Sequence, residues 1–191
     1  MRSKKLLLFV FILVALAQLY VPAKMIFNKE DTLKTGIDYK FNAAPIDPTD
    51  PFRGKYIILG YKGNVAVIDN EKDWVAGETV YVFLENDQKG FAKIKSVSKE
   101  KPIDSQDYFK AEVSAVSSDG SNKLTIYYPF DRFYMEESKA SDAEVIYAKT
   151  LRDTTQVTYA LVSIKNGDAV LKDVLINNVS IKEVVKAKQK K

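Results

Sequence analysis

The chain contains no cysteine and no histidine. Without histidine there is no Ser-His or Cys-His pair to activate a nucleophile. Without either residue the usual zinc chemistries lose their ligands. Disulfides are excluded as well, but a domain of this size can bury enough surface to fold without them, so the missing cysteine does not fix the compartment. An internal basic stripe with interleaved aromatics is also missing, which removes the usual signature of nucleic-acid binding. The net charge is +4. Much of that excess sits at the two ends, in Arg2, Lys4 and Lys5 and in Lys186, Lys188, Lys190 and Lys191.

Apolar residues make up 46% of the chain, with 11 Tyr and 10 Phe. That content argues against global disorder, and the aromatic and β-branched bias suits half-buried strands. Leu6 to Ala23 carries no charge and follows three basic residues. As a helix it would span roughly 27 Å, close to the hydrocarbon thickness of a bilayer. The basic flank should remain in the cytoplasm, which places everything after Lys24 outside. A cleaved signal peptide is the rival reading, with Leu6 to Leu13 as its apolar region and Ala15-Leu16-Ala17 as its cleavage site. Both readings put the rest of the chain on the same side of the membrane.

The sequence therefore divides into residues 1–23 as a membrane anchor or signal peptide, 24–36 as a linker, 37–182 as an extracytoplasmic β domain and 183–191 as a solvated basic tail. Within the domain, Ile37, Tyr39 and Phe41 alternate with polar residues, the mark of a half-buried strand. Residues 55–61 read as one strand. Residues 78–85 are apolar on both faces, as in a central strand, and form a hairpin with residues 91–97. In the strand 108–116, Phe109, Ala111, Val113 and Ala115 should point inward, and residues 124–128 return beside it. Ser141-Asp142-Ala143-Glu144 has capping-box spacing for one short helix. Asn166-Gly167 between two apolar runs predicts a type I′ hairpin. Val179 and Ile181 could add a last strand. Short strands at this spacing indicate a mainly β, single antiparallel sandwich or open barrel-like domain with one or two short helices, after an N-terminal transmembrane helix.

Two stretches are irregular. Pro45, Pro48 and Pro51 forbid a regular ladder across the first. The second runs from Pro129 to Glu137. The stretch Asp47-Pro48-Thr49-Asp50-Pro51-Phe52-Arg53-Gly54-Lys55-Tyr56-Ile57-Ile58-Leu59-Gly60-Tyr61 resembles the membrane-anchored bacterial proteins named for a GDYXXLXY motif. Here the motif is Gly54, Lys55, Tyr56, Leu59 and Tyr61, with Lys55 where the family has Asp. Residues 129–137 and 159–178 are also similar to the family. The resemblance implies a single-span protein with a mostly β domain outside the cytoplasm, on the periplasmic side of the inner membrane. It also implies a multi-span membrane protein as a frequent neighbour, and it carries no catalytic residue and no cofactor.

The candidate surface comprises Asp47, Asp50, Arg53, Gly54, Tyr56, Tyr61, Asp131, Arg132, Tyr134 and Glu136. Its plainest reading is structural: Arg53 and Arg132 pair with nearby carboxylates and order the two loops. If those loops meet, Asp47, Asp50, Asp131, Glu136 and Glu137 could also make an oxygen-rich calcium site or an acid pair. Tyr127, Tyr128, Phe130, Phe133 and Tyr134 read as buried core, any exposed member becoming a recognition surface. A Ser-Lys hydrolase needs a serine soon after its membrane segment, and the first serine beyond Ala23 is Ser96. The expected function is a non-enzymatic accessory or interaction domain, anchored in the lipid bilayer through residues 6–23 and acting with an integral membrane partner. The alternative is an envelope hydrolase using loop carboxylates.

Overall fold

Helix α1 (Arg2–Thr35) begins the chain in the computed structural model, which describes residues 2–45, 56–103 and 107–190. Its stretch from Lys4 to Thr35 is long and apolar enough to cross a membrane, and its most apolar part is not buried against the rest of the chain. The helix does not stop at Lys24. The residues expected to form a linker continue it for three more turns, because Pro22 still allows a helical path and nothing from Lys24 to Thr35 breaks one.

Those last turns are fastened to the β domain. The backbone carbonyl of Thr32 accepts hydrogen bonds from the Gly36 N–H (2.9 Å) and from Ser163 Oγ (2.8 Å). Lys165 Nζ reaches Asp31 at 2.7 Å and also donates to Thr35 Oγ1, while Lys29 pairs with Asp168 at 2.6 Å. Such exposed pairs contribute little individually, but they lie around the buried Thr32 and act on one joint.

The strands are β1 (Ile37–Ala44), β2 (Tyr56–Ile58), β3 (Gly60–Tyr61), β4 (Val65–Val67), β5 (Thr79–Asn86), β6 (Ala92–Ser98), β7 (Tyr108–Val116), β8 (Lys123–Tyr127) and β9 (Arg132–Tyr134). Helix α2 (Glu137–Arg152) follows, then β10 (Thr158–Lys165), β11 (Asp168–Ile176), β12 (Val179–Ser180) and helix α3 (Ile181–Gln189). One sheet runs β12-β11-β10-β1-β3 and a second runs β4-β8-β7-β5-β6, with β2 and β9 forming a separate ribbon. The sheets meet where the β10–β11 turn docks on β7: the Lys110 N–H donates to the Gly167 carbonyl (2.9 Å) and the Gly167 N–H to that of Tyr108 (3.2 Å). The result is a nearly closed, β-rich barrel, as the alternation of the sequence indicates. Phe41, Ile57, Val80, Val82, Phe109, Leu124, Ile126 and Ile164 fill it.

Local expectations hold where local physics decides. β5 lies between β6 and β7, the central place its two apolar faces require. Asn166 and Gly167 both take positive φ, 51° and 94°, as a type I′ turn needs. Other expectations are corrected. Ala115 is exposed, because a bulge between Val113 and Ala115 shifts the alternation by one residue. The run 55–61 is not one strand: β2 pairs with β9 and β3 with β1, and the chain changes sheets at Leu59. Ile181 starts a helix rather than extending a strand. Helix α2 starts at Glu137, four residues before the capping-box serine, and buries Ala140, Ala143 and Tyr147 on one stripe. The expected basic tail is helical to Gln189, with Val185 buried and Lys188 paired with Asp142 on α2 at 3.0 Å.

Candidate functional site

The family-like motif leads into the β2–β9 ribbon. Asp47, Asp50, Arg53, Gly54 and Lys55 lie outside the described residues. From Tyr56 onward the motif divides into an inner and an outer set. Ile57 and its cross-strand partner Phe133 are buried under the ribbon. Leu59 is buried at the sheet change, and its N–H donates to the Asp131 carbonyl at 2.7 Å. Tyr61 donates from its hydroxyl to the Phe130 carbonyl at 2.7 Å, with its ring against Phe41, Tyr128 and Phe130. The motif's leucine and last tyrosine thus grip residues 130–131 and set the start of β9. Both residues brace this segment, and the half-buried Tyr61 also lines the neighbouring cleft.

The outer set is different. Tyr56 faces Tyr134 across the ribbon with ring centroids 5.4 Å apart, and the Arg132 guanidinium stands over the Tyr56 ring at 5.3 Å. Tyr134 is 62% exposed. Asp131 accepts a hydrogen bond from the Tyr127 hydroxyl at 2.8 Å and lies 3.9 Å from Arg132 Nε. The Tyr134 hydroxyl, Asp131 and Tyr56 all favour the charged guanidinium. Tyr128, Phe130 and Phe133 are core, whereas Tyr127 and Tyr134 are exposed, so the aromatic cluster splits between core and surface. Beside this patch lies a cleft of about 240 Å³ lined by Leu59, Gly60, Asn64, Ser114, Tyr127 and Asp131.

Of the candidate carboxylates, Asp131, Glu136 and Glu137 lie within the described residues. Glu136 pairs with Lys139 in the first turn of α2 at 2.7 Å, which lowers its pKa. Every described carboxylate whose shift is resolved is shifted downward, through hydrogen bonds or a neighbouring lysine. A general acid working near neutrality needs the opposite shift. Among the described residues there is no group of three or more potential metal-ligating side chains. The pairing expected for Arg132 is present but long and solvent-exposed, which places it among interactions of small energy.

Tyr127 was not singled out for the surface by sequence, although its spacing of four residues from Asp131 was visible. Burial first, and then the hydrogen bond to Asp131, push its phenol up to about 12 from 10.0. The raised value means that the folded state holds this proton more tightly than the unfolded chain. Its contribution to stability is therefore complete below about pH 10 and is lost as the pH rises towards 12. An ultraviolet tyrosinate titration should show Tyr127→Phe removing a phenol that ionises late. If the late-ionising fraction is unchanged, the Tyr127–Asp131 bond does not form in solution.

A family model described as GDYXXLXY protein matches residues 18–174, which spans the ribbon, α2 and most of the barrel. No curated protein and no solved structure matches the chain.

Proposed function

The chain belongs to the GDYXXLXY protein family, and we propose that it is a membrane-anchored, extracytoplasmic accessory domain that docks on an integral membrane partner through the outer face of the β2–β9 ribbon. Helix α1 would be the anchor, with Lys4 and Lys5 in the cytoplasm and the barrel on the periplasmic side. The observation that carries the docking surface is the pairing of half-buried Tyr56 with exposed Tyr134, with Arg132 stacked on the Tyr56 ring. Tyr and Arg are enriched where interfaces concentrate binding energy, because they offer large contact area with a polar end. The buried Ile57 and Phe133 beneath hold these side chains in place before a partner arrives. For hydrolysis, Glu136 is held by Lys139 with its pKa lowered, the wrong direction for a general acid.

The test is photo-crosslinking in native membranes from a photoreactive residue at Tyr134, followed by identification of the adduct. A multi-span membrane protein is the expected product. Arg132→Ala should weaken the complex roughly thirtyfold, the equivalent of a 2 kcal/mol interface residue. The same adducts from a photoreactive residue at Val67, exposed on β4, would show that the ribbon is not the docking face.

A further inference from the structure

The end of the barrel nearest α1 has a second surface, which meets the ribbon at Arg132. The β10–β11 turn runs down beside the helix: Ser163 contacts Thr32, Lys165 contacts Asp31, and Asp168 contacts Lys29. Each successive contact lies closer to the apolar part of α1. The last is six residues beyond Ala23, or about 9 Å along the helix axis. Met25, Ile26 and Phe27, between these points, are exposed.

Two clefts flank this turn. One, of about 450 Å³, is lined by Lys29, Lys110, Phe130, Arg132, Asp168 and Leu171. The other, of about 460 Å³, is lined by Lys101, Pro102, Ile103, Tyr108 and Asn166. Ile103 is 94% exposed, the most exposed large apolar side chain described. Asp168 is engaged by Lys29, whereas neither Lys101 nor Lys110 is in an ion pair among the described residues. Glu100 and Asp107 flank the segment in sequence, so its apolar residues matter as much as its charge.

We propose that this end of the barrel lies on the bilayer that holds α1, with Ile103 and Pro102 entering the interfacial region and Lys101 and Lys110 meeting the phosphates of anionic phospholipids. An exposed isoleucine in water gains nothing, but a few ångströms above a bilayer it can bury its side chain among the headgroups. Lysines near an anionic surface are attracted to it within about a Debye length, roughly 10 Å at 0.1 M salt; Lys110 shares a cleft with Lys29, which lies about 9 Å along the helix axis beyond Ala23. The surface rests on the anchor reading of α1 but not on the ribbon partner.

The chain has no cysteine, so one introduced residue can be labelled without background. The full chain carrying Ile103→Cys with an environment-sensitive fluorophore is reconstituted into vesicles of phosphatidylcholine, with or without phosphatidylglycerol. Val67→Cys is the control, because Val67 pairs with Lys123 beyond the opposite end of β7 from Tyr108. Shallow quencher lipids should quench the label at 103, more strongly with phosphatidylglycerol, and leave the label at 67 unquenched. Lys101→Glu with Lys110→Glu should abolish the excess due to phosphatidylglycerol. Chain that floats with the vesicles while its 103 label stays unquenched overturns this proposal and leaves the anchor standing. Chain that fails to float overturns both. An excess that survives the double charge reversal overturns the role of the lysines.

Discussion

Gly36→Ala is expected to disrupt the joint between α1 and the barrel. A Cβ at this position would lie 2.5 Å from the Thr32 carbonyl oxygen, 2.7 Å from Ser163 Oγ and 2.9 Å from the Ile164 carbonyl oxygen. Two of those three atoms are backbone, so no rotamer change relieves the overlap. The requirement is for space rather than for an unusual backbone angle, since Gly36 is not among the positive-φ residues. The added methyl must push β10 away from the helix, which lengthens the Ser163–Thr32 and Gly36–Thr32 hydrogen bonds together. Overpacking of this kind costs about 1–3 kcal/mol, and Gly36→Val should cost more. Denaturation of the full chain in detergent, followed through the barrel's own signal, measures it. An unchanged midpoint for Gly36→Val would mean that the helix is not docked on β10 in solution.

Phe41→Ala should have the largest effect of any single core substitution. Its ring lies within 6.3 Å, centroid to centroid, of Tyr61, Phe109, Tyr128 and Phe130, mostly edge to face. These rings come from β1, β3, β7 and the segment between β8 and β9, so one cavity would loosen both sheets. Removing a buried phenylalanine costs about 3–5 kcal/mol, a large share of the stability of an ordinary domain. The motif makes a second readout possible. Tyr61 packs on Phe41 and holds the Phe130 carbonyl, so the ribbon's outer face should lose order before the barrel unfolds. Urea denaturation gives the energy, and near-ultraviolet circular dichroism gives the loss of fixed aromatic packing. Phe41→Leu, which leaves a smaller void, should fall between wild type and Phe41→Ala. A midpoint for Phe41→Ala within experimental error of wild type would show that the ring cluster contributes no more than surface contacts do.

Much of the barrel could be read from the sequence because its information is local. Alternation placed β1, β5, β6 and β7, and the Asn166-Gly167 pair placed the β10–β11 turn, since a residue pattern and a turn geometry decide each of these. The sheet change at Leu59 was not readable. Tyr56 to Tyr61 is an uninterrupted β-type run, and only the carbonyl of Asp131, more than seventy residues away, divides it. The bulge at Ala115 was hidden for a similar reason, because alanine suits either face. The fastening of α1 depends on Lys29, Asp31 and Lys165, ordinary surface residues in sequence whose partners are supplied by the fold. Of the candidate surface residues, Tyr56, Arg132 and Tyr134 lie together on the ribbon, whereas Glu136 is paired with Lys139 and Tyr61 is half-buried with its hydroxyl on the Phe130 carbonyl, placements set by contacts distant in sequence or by the start of α2.

The continuous helix from the apolar segment to Thr35 works as a ruler. A disordered stretch of a dozen residues would let the barrel wander over a radius of roughly 20 Å. A helix docked through its last turns instead fixes both the height of the barrel and its compass bearing around the helix axis. One residue inserted between Lys24 and Asn28 would raise the barrel by about 1.5 Å and turn it by about 100°. With α1 as the proposed anchor and the ribbon as the proposed docking face, the turn, more than the lift, would carry Tyr56, Arg132 and Tyr134 out of reach of a partner fixed in the same bilayer. Insertion of seven residues, close to two full turns, would restore the bearing at a height about 10 Å greater. A partner that reads direction would tolerate seven added residues better than one, whereas a partner met by diffusion on a tether would be indifferent to both.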